Sequence, residues 1–272
     1  MTVVPVESAQ RACPRRCSSW KHVSDIWKAG NSMMGMQAWG ECACDADGAR
    51  MGRAQPRFAD RREAGWALAQ ALLARGYGER VVVLALPNGG TLVGAEVARL
   101  LGAPLDLMMV HPFGMPSDRE RRIATVVDGP LPLIVFDDVA MRHAGVDRAH
   151  VADQALIELR ETGRWRQRHL GDRAALPVAG CTVIVVDDGA ATGATVRAAV
   201  AGLRARRAGR VVIALPVAPG PVLERLRDEA DEVVCLAQPL PFRSVAAQYD
   251  DPSAVTDAMV ELALADVDAA RR

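Results

Sequence analysis

The chain has 272 residues, half of them hydrophobic, and its 33 basic and 33 acidic side chains give a formal net charge of zero. A balanced charge gives no electrostatic reason to expect nucleic acid or an anionic membrane as a partner. No apolar run approaches the roughly 18 residues that span a bilayer, and the start lacks the pattern of a secretory signal. We therefore expect a globular protein of the cytoplasm.

The first fifty residues differ in composition from the rest. Both lysines, Lys21 and Lys28, precede residue 50. Four of the six cysteines lie there too: Cys13, Cys17, Cys42 and Cys44. Their spacing is not that of a known zinc site, and no histidine pair completes it. This segment shows no sustained helical or alternating hydrophobic period. We therefore expect residues 1–52 to be a disordered extension and residues 53–272 to be the folded domain.

From Phe58 onward the pattern becomes regular. Asp60 and Glu63 stand in capping-box spacing before an apolar stripe that ends at Gly76, which predicts a helix. Short β-branched runs then alternate with helical stretches, a pattern that indicates a parallel sheet. Predicted strands are 81–86, 105–110, 123–127, 132–136, 181–187, 210–215 and 232–236. Predicted helices are 91–101, 147–168, 195–207 and 219–229. The expected fold class is α/β, a parallel twisted sheet flanked by helices, with a small C-terminal hood region.

The strand over 181–187 ends in two acids and a loop of small residues, within CTVIVVDDGAATGATVRAAV. Ligands of open α/β sheets bind at such carboxyl ends of strands. Small side chains let backbone N–H groups converge on an anion at the start of the next helix. The loop residues are Gly189, Ala190, Ala191, Thr192, Gly193, Ala194 and Thr195. Asp187 and Asp188 suit neutral hydroxyls or Mg²⁺ beside the anion, so a sugar diol next to a phosphate satisfies every part.

Two common nucleotide motifs are excluded, because no lysine follows residue 50 to complete a Walker motif and no G-x-G-x-x-G follows a strand. Instead, VIVVDDGAATGAT resembles the phosphoribosyl-diphosphate loop of type I phosphoribosyltransferases, which has four apolar residues, two acids, small residues and T-G-x-T. The resemblance covers residues 57–265 and is greatest to a bacterial group described only as predicted phosphoribosyltransferases. It is carried also by FADRREAGWALAQALL, ALPNGGTLVGAEVARLLGAPLDLMMV, RVVIALPVAPG and ADEVVCLAQPLPFRSVAAQYDD.

The resemblance implies a pentosyl-type glycosyltransferase that moves the 5-phosphoribosyl group from phosphoribosyl diphosphate to a nitrogenous acceptor and releases diphosphate. It implies that Asp187 and Asp188 hold the ribose hydroxyls and Mg²⁺, directly or through water, while Gly189 to Thr195 hold the 5-phosphate. The loop that meets the diphosphate would be Pro87, Asn88, Gly89 and Gly90. A homodimer is also implied.

The chain departs from related sequences at several basic positions. At the position of Asn88, those sequences carry an arginine. At the positions of His111 and Pro112, they carry an Arg-Lys pair. The resemblance implies that a basic loop, here 111–122, closes over the diphosphate. Three arginines late in this loop are Arg119, Arg121 and Arg122. Either they restore the missing positive charge, or they are a solvated charge run. Purine-salvage members carry an aspartate at the position of Ala191. Here, either the acceptor needs no such general base, or another group, such as His111, acts as the base.

Several alternatives remain open from the sequence alone. Phe242 or Tyr249 stacks on the acceptor ring, or packs onto the sheet. Asp137 and Asp138 also end an apolar run, but no small-residue loop follows, so a structural role is expected for them. In place of a transferase, the chain could be a sensor of nucleotides or phosphoribosyl diphosphate without catalysis. A hydrolase with Asp187 and Asp188 as metal ligands lacks a further supporting cluster.

Overall fold

Two sheets and seven α-helices make up the part of the chain that the structure describes. The structure is a computed structural model that describes residues 2–5, 58–115, 118–130, 132–171 and 173–270, without the side chains of 115 and 118–121. The strands are β1 (Thr2–Pro5), β2 (Val81–Ala85), β3 (Leu105–Leu107), β4 (Val110–Met115), β5 (Asp118–Val127), β6 (Leu133–Phe136), β7 (Thr182–Val186), β8 (Arg210–Val217) and β9 (Glu232–Ala237). The helices are α1 (Arg61–Leu73), α2 (Gly89–Leu101), α3 (Asp138–Ala144), α4 (Arg148–Leu170), α5 (Ala194–Ala205), α6 (Gly220–Arg227) and α7 (Asp257–Ala270).

The central sheet is parallel and has the strand order β3-β2-β7-β8-β9. Its inner strands are continuous apolar runs because both faces of the sheet are covered. One face packs against α1, α2 and α7, which contribute Leu68, Val93 and Leu264 to that core. The other face packs against α5, α6 and the second sheet. The predicted α/β class is confirmed, and among the described residues no helix is both long and apolar enough to cross a membrane.

The second sheet is antiparallel, with the strand order β1-β6-β5-β4. Helices α3 and α4 cover its outer face, where Phe113, Phe136 and Val151 form a small core of their own. Arg166 of α4 ties this unit to the parallel sheet, because its Nη2 donates to both carboxylate oxygens of Asp106 on β3 at 3.0 and 3.1 Å. The unit is therefore fixed by a charged pair as well as by apolar packing.

Helix α5 packs tightly against the second sheet at Gly202. A Cβ atom added to Gly202 would lie 2.8 Å from Cγ1 of Val127 on β5. Any larger residue would push the helix and the strand apart, so glycine is required by this contact. Helix α5 thus carries the small-residue loop at its N-terminus and the second sheet against its later turns.

Two predictions between β3 and β6 are wrong. The expected strand 105–110 ends at Leu107, and the expected loop 111–122 is a hairpin of β4 and β5. The chain leaves the parallel sheet because Met109 pairs with Asp128: the N–H of Met109 donates to Oδ1 of Asp128 at 2.8 Å, and the N–H of Asp128 donates to the carbonyl of Met109 at 3.0 Å. The hairpin pairing is regular near its base and shifts register on both sides of Gly114.

The beginning of the chain also differs from expectation. Thr2–Pro5 forms strand β1, which pairs antiparallel with β6, so that Val3 lies opposite Val135. The hydroxyl of Thr2 donates to Oδ2 of Asp138 at 2.8 Å. The rest of the predicted extension, with its four cysteines, lies outside the described residues. The first four described residues therefore belong to the second sheet and not to a disordered extension.

Candidate active site

The acidic loop joins β7 to α5 at the carboxyl end of the parallel sheet. Gly193 caps α5 with φ of 75°, a left-handed conformation that favours glycine. Gly189 is packed so closely that a Cβ atom there would lie 2.7 Å from Cγ2 of Val217 and 2.9 Å from Cγ1 of Val245. Both glycines of the motif are therefore required by the backbone path of the loop.

Several backbone N–H groups of this loop are left open. Those of Ala191, Thr192, Gly193 and Thr195 donate to no acceptor in the described parts of the chain. The N–H of Ala190 is different, because it donates to the carbonyl of Val217 at 3.0 Å. Open N–H groups at a helix N-terminus are satisfied by water or by an anion. The N–H of Ala194 is also engaged, because it donates to Oγ1 of Thr192 at 3.4 Å. The structure thus leaves open four of the donors that the sequence assigned to a phosphate, whereas those of Ala190 and Ala194 have acceptors.

Asp187 and Asp188 are adjacent acidic residues that directly precede this loop. Oδ1 of Asp187 accepts a hydrogen bond from the N–H of Asp188 at 2.9 Å. Burial raises the pKa of Asp187 well above its ordinary value, and the negative charge of Asp188 raises it further. Burial also raises the pKa of Asp188, although the Arg61 guanidinium opposes that shift. Because the pair disfavours a second negative charge, it presents less repulsion to a phosphate than two ionised carboxylates would.

Arg61 is part of this site, and our sequence reasoning missed it. Its Nε donates to Oδ2 of Asp188 at 3.2 Å, and its Nη1 donates to the carbonyl oxygens of Asp251 and Ser253, both at 3.0 Å. Arg61 is only 8 % exposed. The available signal was its position in FADRREAG, where a basic residue opens a helix against the helix dipole. Arg61 supplies the positive charge closest to the acidic pair among the described contacts.

Tyr249 also contacts Asp188, through the backbone of that residue. Its hydroxyl donates to the backbone carbonyl of Asp188 at 2.5 Å, and its ring lies 4.6 Å below the Arg61 guanidinium. The residue is completely buried and packs near Phe58, whereas Phe242 is partly buried against the same cluster. For Tyr249 the packing alternative is therefore confirmed, because its ring is not accessible to an acceptor.

The predicted diphosphate loop lies directly against the acidic pair. Pro87 and Asn88 lie between β2 and α2, Gly89 and Gly90 are the first two residues of α2, and β2 pairs with β7. A Cβ atom at Gly89 would lie 2.1 Å from Oδ2 of Asp188, and one at Gly90 would lie 2.8 Å from Cα of Asp187. The two segments that the sequence predicted separately are therefore in contact, and glycine is required where they touch.

Asn88 stands where the resemblance implies an arginine, and its side chain makes two hydrogen bonds. Its Nδ2 donates to the carbonyl of Val255 at 3.0 Å and to Oδ1 of Asp257 at 3.2 Å. The peptide bond between Pro87 and Asn88 is cis. Asn88 therefore ties this loop to the start of α7 and contributes no charge to it.

The residues predicted to supply positive charge lie on the hairpin. Arg122 is exposed on β5, opposite Gly114, and makes no salt bridge within the described residues. The side chains of Arg119 and Arg121 lie outside the described part of the chain. His111 is exposed on β4, and its Nε2 lies 3.1 Å from Oε2 of Glu158 on α4. The structure thus does not join Arg122 or His111 to the acidic pair.

One other prediction about acidic residues concerns the pair after β6. Asp137 caps α3, where its Oδ1 accepts from the N–H groups of Val139 and Ala140 at 3.1 and 2.9 Å, and this confirms its structural role. Across the described ranges, no group of three or more His, Cys, Asp or Glu side chains is arranged to hold a metal ion. A cavity of about 200 Å³ is lined by Asp128 and Arg206, away from the acidic loop. The cavity is therefore not part of the candidate site.

Comparison with known proteins is consistent with this geometry. Residues 62–251 match the family described as "Phosphoribosyl transferase domain". Two curated proteins from Mycobacterium tuberculosis strains, named "Putative phosphoribosyl transferase Rv0571c" and "MT0597", are each 39 % identical over 200 residues, which is 74 % of this chain. The chain spans 44 % of the length of these relatives.

A solved structure is also similar. The protein TT1426 from Thermus thermophilus has a TM-score of 0.64 and 38 % sequence identity, and the match covers 77 % of this chain and 98 % of that one. The family match extends over the acidic loop, the predicted diphosphate loop and Tyr249, and it begins one residue after Arg61. The chain belongs to the phosphoribosyltransferase family.

Proposed function

We propose that this protein transfers the 5-phosphoribosyl group of phosphoribosyl diphosphate to a nitrogenous acceptor and releases diphosphate. The observation that carries the proposal is the set of open N–H groups of Ala191, Thr192, Gly193 and Thr195, which follow a buried acidic pair in the chain. Phosphate oxygens accept from open N–H groups at a helix N-terminus, and carboxylates accept from sugar hydroxyls. One ligand that offers both at this spacing is a ribose 5-phosphate group.

Each part of the site then has a role. Asp187 and Asp188 accept hydrogen bonds from the ribose 2- and 3-hydroxyls, and the open N–H groups bind the 5-phosphate. Gly89 and Gly90 let their loop pack directly against the acidic pair, and in the proposal this loop binds the diphosphate beside the ribose. The anomeric carbon loses diphosphate through an oxocarbenium-like state while the acceptor nitrogen adds. Positioning of these groups and electrostatic stabilisation supply the catalysis.

The residues present fit a magnesium ion that arrives with the substrate. Mg²⁺ keeps several waters and is bound by one or two carboxylates together with substrate phosphates. Asp187 and Asp188 supply two carboxylates, and the described residues provide no cage of three or more ligands. These two residues would hold the ion, directly or through water. When bound, it offsets the charge of the leaving diphosphate.

The hairpin of β4 and β5 is proposed to cover the diphosphate. Arg122 and the two arginines before it give the hairpin tip a positive charge, and a closed tip would keep water from hydrolysing the activated sugar. With Ala191 in the motif, no carboxylate precedes the T-G pair to remove a proton. An amine or an already anionic ring is therefore the acceptor class that the loop supports best.

A second candidate is a sensor that binds phosphoribosyl diphosphate or a nucleotide without catalysis. The observation that favours it is Asn88, whose amide is engaged by Val255 and Asp257 where related sequences have a cation. Loss of that cation weakens diphosphate binding, because a charge-assisted hydrogen bond contributes about 1.5 to 3 kcal/mol. The sensor and the transferase share the ribose 5-phosphate site and differ in diphosphate release.

Calorimetric titration with phosphoribosyl diphosphate and Mg²⁺ tests the site. We expect micromolar or tighter binding that the Asp187→Asn/Asp188→Asn double variant abolishes. The matched control is Asp137→Asn/Asp138→Asn, which alters the acidic pair after β6 and should leave binding unchanged. Binding that survives in the first double variant would contradict the proposal.

Diphosphate release then separates the two candidates. A panel of amines and nucleobases is incubated with the protein, phosphoribosyl diphosphate and Mg²⁺, and diphosphate is measured by a coupled enzymatic assay. Release that depends on the acceptor supports the transferase. Tight binding without release under any acceptor supports the sensor.

A further inference from the structure

Arg61 is a buried cation at a place where local electrostatics oppose it. It is the first residue of α1, near the positive end of the helix dipole, and it is almost fully removed from water. Burial of a guanidinium is costly unless charged and polar partners replace its water. Helix stability alone therefore does not account for an arginine here, and its partners must be considered.

Those partners fix the guanidinium in three directions. Nε faces the carboxylate of Asp188, Nη1 faces the carbonyl oxygens of Asp251 and Ser253, and the guanidinium plane lies over the ring of Tyr249. Tyr249 in turn donates its hydroxyl to the carbonyl of Asp188. Asp188 is thus held at its side chain by Arg61 and at its backbone by Tyr249, and the two holding groups are stacked on each other.

We propose that Arg61 is a positioning residue that fixes the Asp188 carboxylate for the sugar hydroxyls and balances its charge next to the phosphate-binding N–H groups. The inference rests on the proposed function, because it assigns Asp188 to the ribose diol. Arg61 itself is covered by Asp188, Tyr249 and the 251–253 segment, so it acts through Asp188 and not on the ligand.

A purely structural role makes a different prediction. If Arg61 only anchors residues 251–253, its loss lowers stability and weakens every ligand of the loop to a similar extent. If it positions Asp188, its loss weakens ligands that carry the diol and spares those that carry phosphate alone. Ribose 5-phosphate and inorganic phosphate are the two probes that separate these roles.

The test measures both affinities by calorimetry, with thermal unfolding in parallel, for Arg61→Met, Arg61→Lys, Asp188→Asn and the Arg61→Met/Asp188→Asn double variant. We expect Arg61→Met to weaken ribose 5-phosphate roughly 10- to 100-fold and inorganic phosphate by less than about threefold. Arg61→Lys should recover part of the loss, because it keeps the charge without the fork of donors. The double variant should bind no more weakly than Asp188→Asn, because both changes remove one coupled interaction.

The matched control is Arg62→Met, which removes the neighbouring arginine of α1. Arg62 is half-exposed, with its Nη1 3.6 Å from Oε1 of Glu96, and its loss should change neither affinity. The inference is overturned if Arg61→Met binds ribose 5-phosphate as the wild type does, if both probes weaken equally, or if the double variant loses the sum of both single effects. If Arg61→Met does not fold, the partial loss expected of Arg61→Lys decides. A wild type that does not bind ribose 5-phosphate would overturn the proposed function together with this inference.

Discussion

The side-chain amide of Asn88 donates to Oδ1 of Asp257 across 3.2 Å, although 169 residues separate the two in the chain. The same amide donates to the carbonyl of Val255, so the predicted diphosphate loop is tied to the first turn of α7. Here the position stabilises the packing of the C-terminal helix beside the site.

Replacement of Asn88 by alanine should therefore affect stability. The Asn88→Ala variant leaves the Val255 carbonyl and the Asp257 carboxylate without this donor, and we expect the free energy of unfolding to fall by about 1 to 2 kcal/mol. Urea denaturation measures the change. Gln154→Ala is the control, because it removes only the 3.1 Å hydrogen bond to Glu158 within α4 and should cost less than about 0.5 kcal/mol. Equal losses in the two variants would mean that the Asn88 contacts contribute little.

Gly89 should tolerate no side chain. In Gly89→Ala the new Cβ atom would lie 2.1 Å from Oδ2 of Asp188, so either the diphosphate loop or the acidic residue must move. We expect affinity for phosphoribosyl diphosphate to fall by at least about tenfold, measured by calorimetry. The control is Gly78→Ala, where no atom lies within 4 Å of the added carbon and φ is not positive. Unchanged affinity in Gly89→Ala would show that the ligand does not depend on this contact.

Asp128 should make stability depend on pH. Burial raises its pKa from 3.8 to about 6, although Arg166 opposes the shift. Because the folded state holds the proton more tightly than the unfolded state, the contribution of Asp128 is fully present below about pH 4 and is lost as pH rises through 6. The Asp128→Asn variant keeps an acceptor for the N–H of Met109 and carries no charge. We expect it to raise the free energy of unfolding at pH 7.5 by up to about 3 kcal/mol and to change it little at pH 4.

Thermal or urea unfolding of both proteins between pH 4 and pH 8 measures this difference. Wild-type stability should carry a negative slope from Asp128 between pH 4 and pH 6 that the variant lacks. The opposite result, a variant less stable at pH 7.5, would mean that the Arg166 charge 3.6 Å from Oδ2 outweighs the cost of burial.

Asp137 provides the contrast with the acidic pair of the site. Its side chain caps α3, and loss of an N-cap costs about 0.5 to 2 kcal/mol of stability. Asp137→Ala should therefore lower the unfolding midpoint in urea while the affinity for phosphoribosyl diphosphate stays the same. A loss of affinity without a loss of stability would assign Asp137 to the ligand and contradict its structural role.

The sequence predicted those parts of the site that are local in the chain. One continuous stretch contains an apolar run, two acids and a small-residue loop before a helix. The glycines are required where the backbone of the predicted diphosphate loop touches the acidic pair. Strand and helix positions in the parallel sheet followed from periodicity in the same way.

What escaped prediction depends on long-range contacts or on interrupted periodicity. Arg61 meets Asp188 from 127 residues away, and no local pattern specifies that pairing. Strand β4 was missed because Pro112 and Gly114 interrupt its alternation, and α3 because it has only seven residues. Helix α7 has an apolar stripe at Val260, Leu264 and Val267 that could have been recognised.

The contact between Gly202 and Val127 places the base of the hairpin against α5. Helix α5 begins directly after the small-residue loop, and β5 packs against its later turns. The irregular pairing at Gly114 lies beyond this contact, toward the tip of the hairpin. For the proposed closure over a diphosphate, we therefore expect the hairpin to bend at Gly114 while its base stays packed on α5.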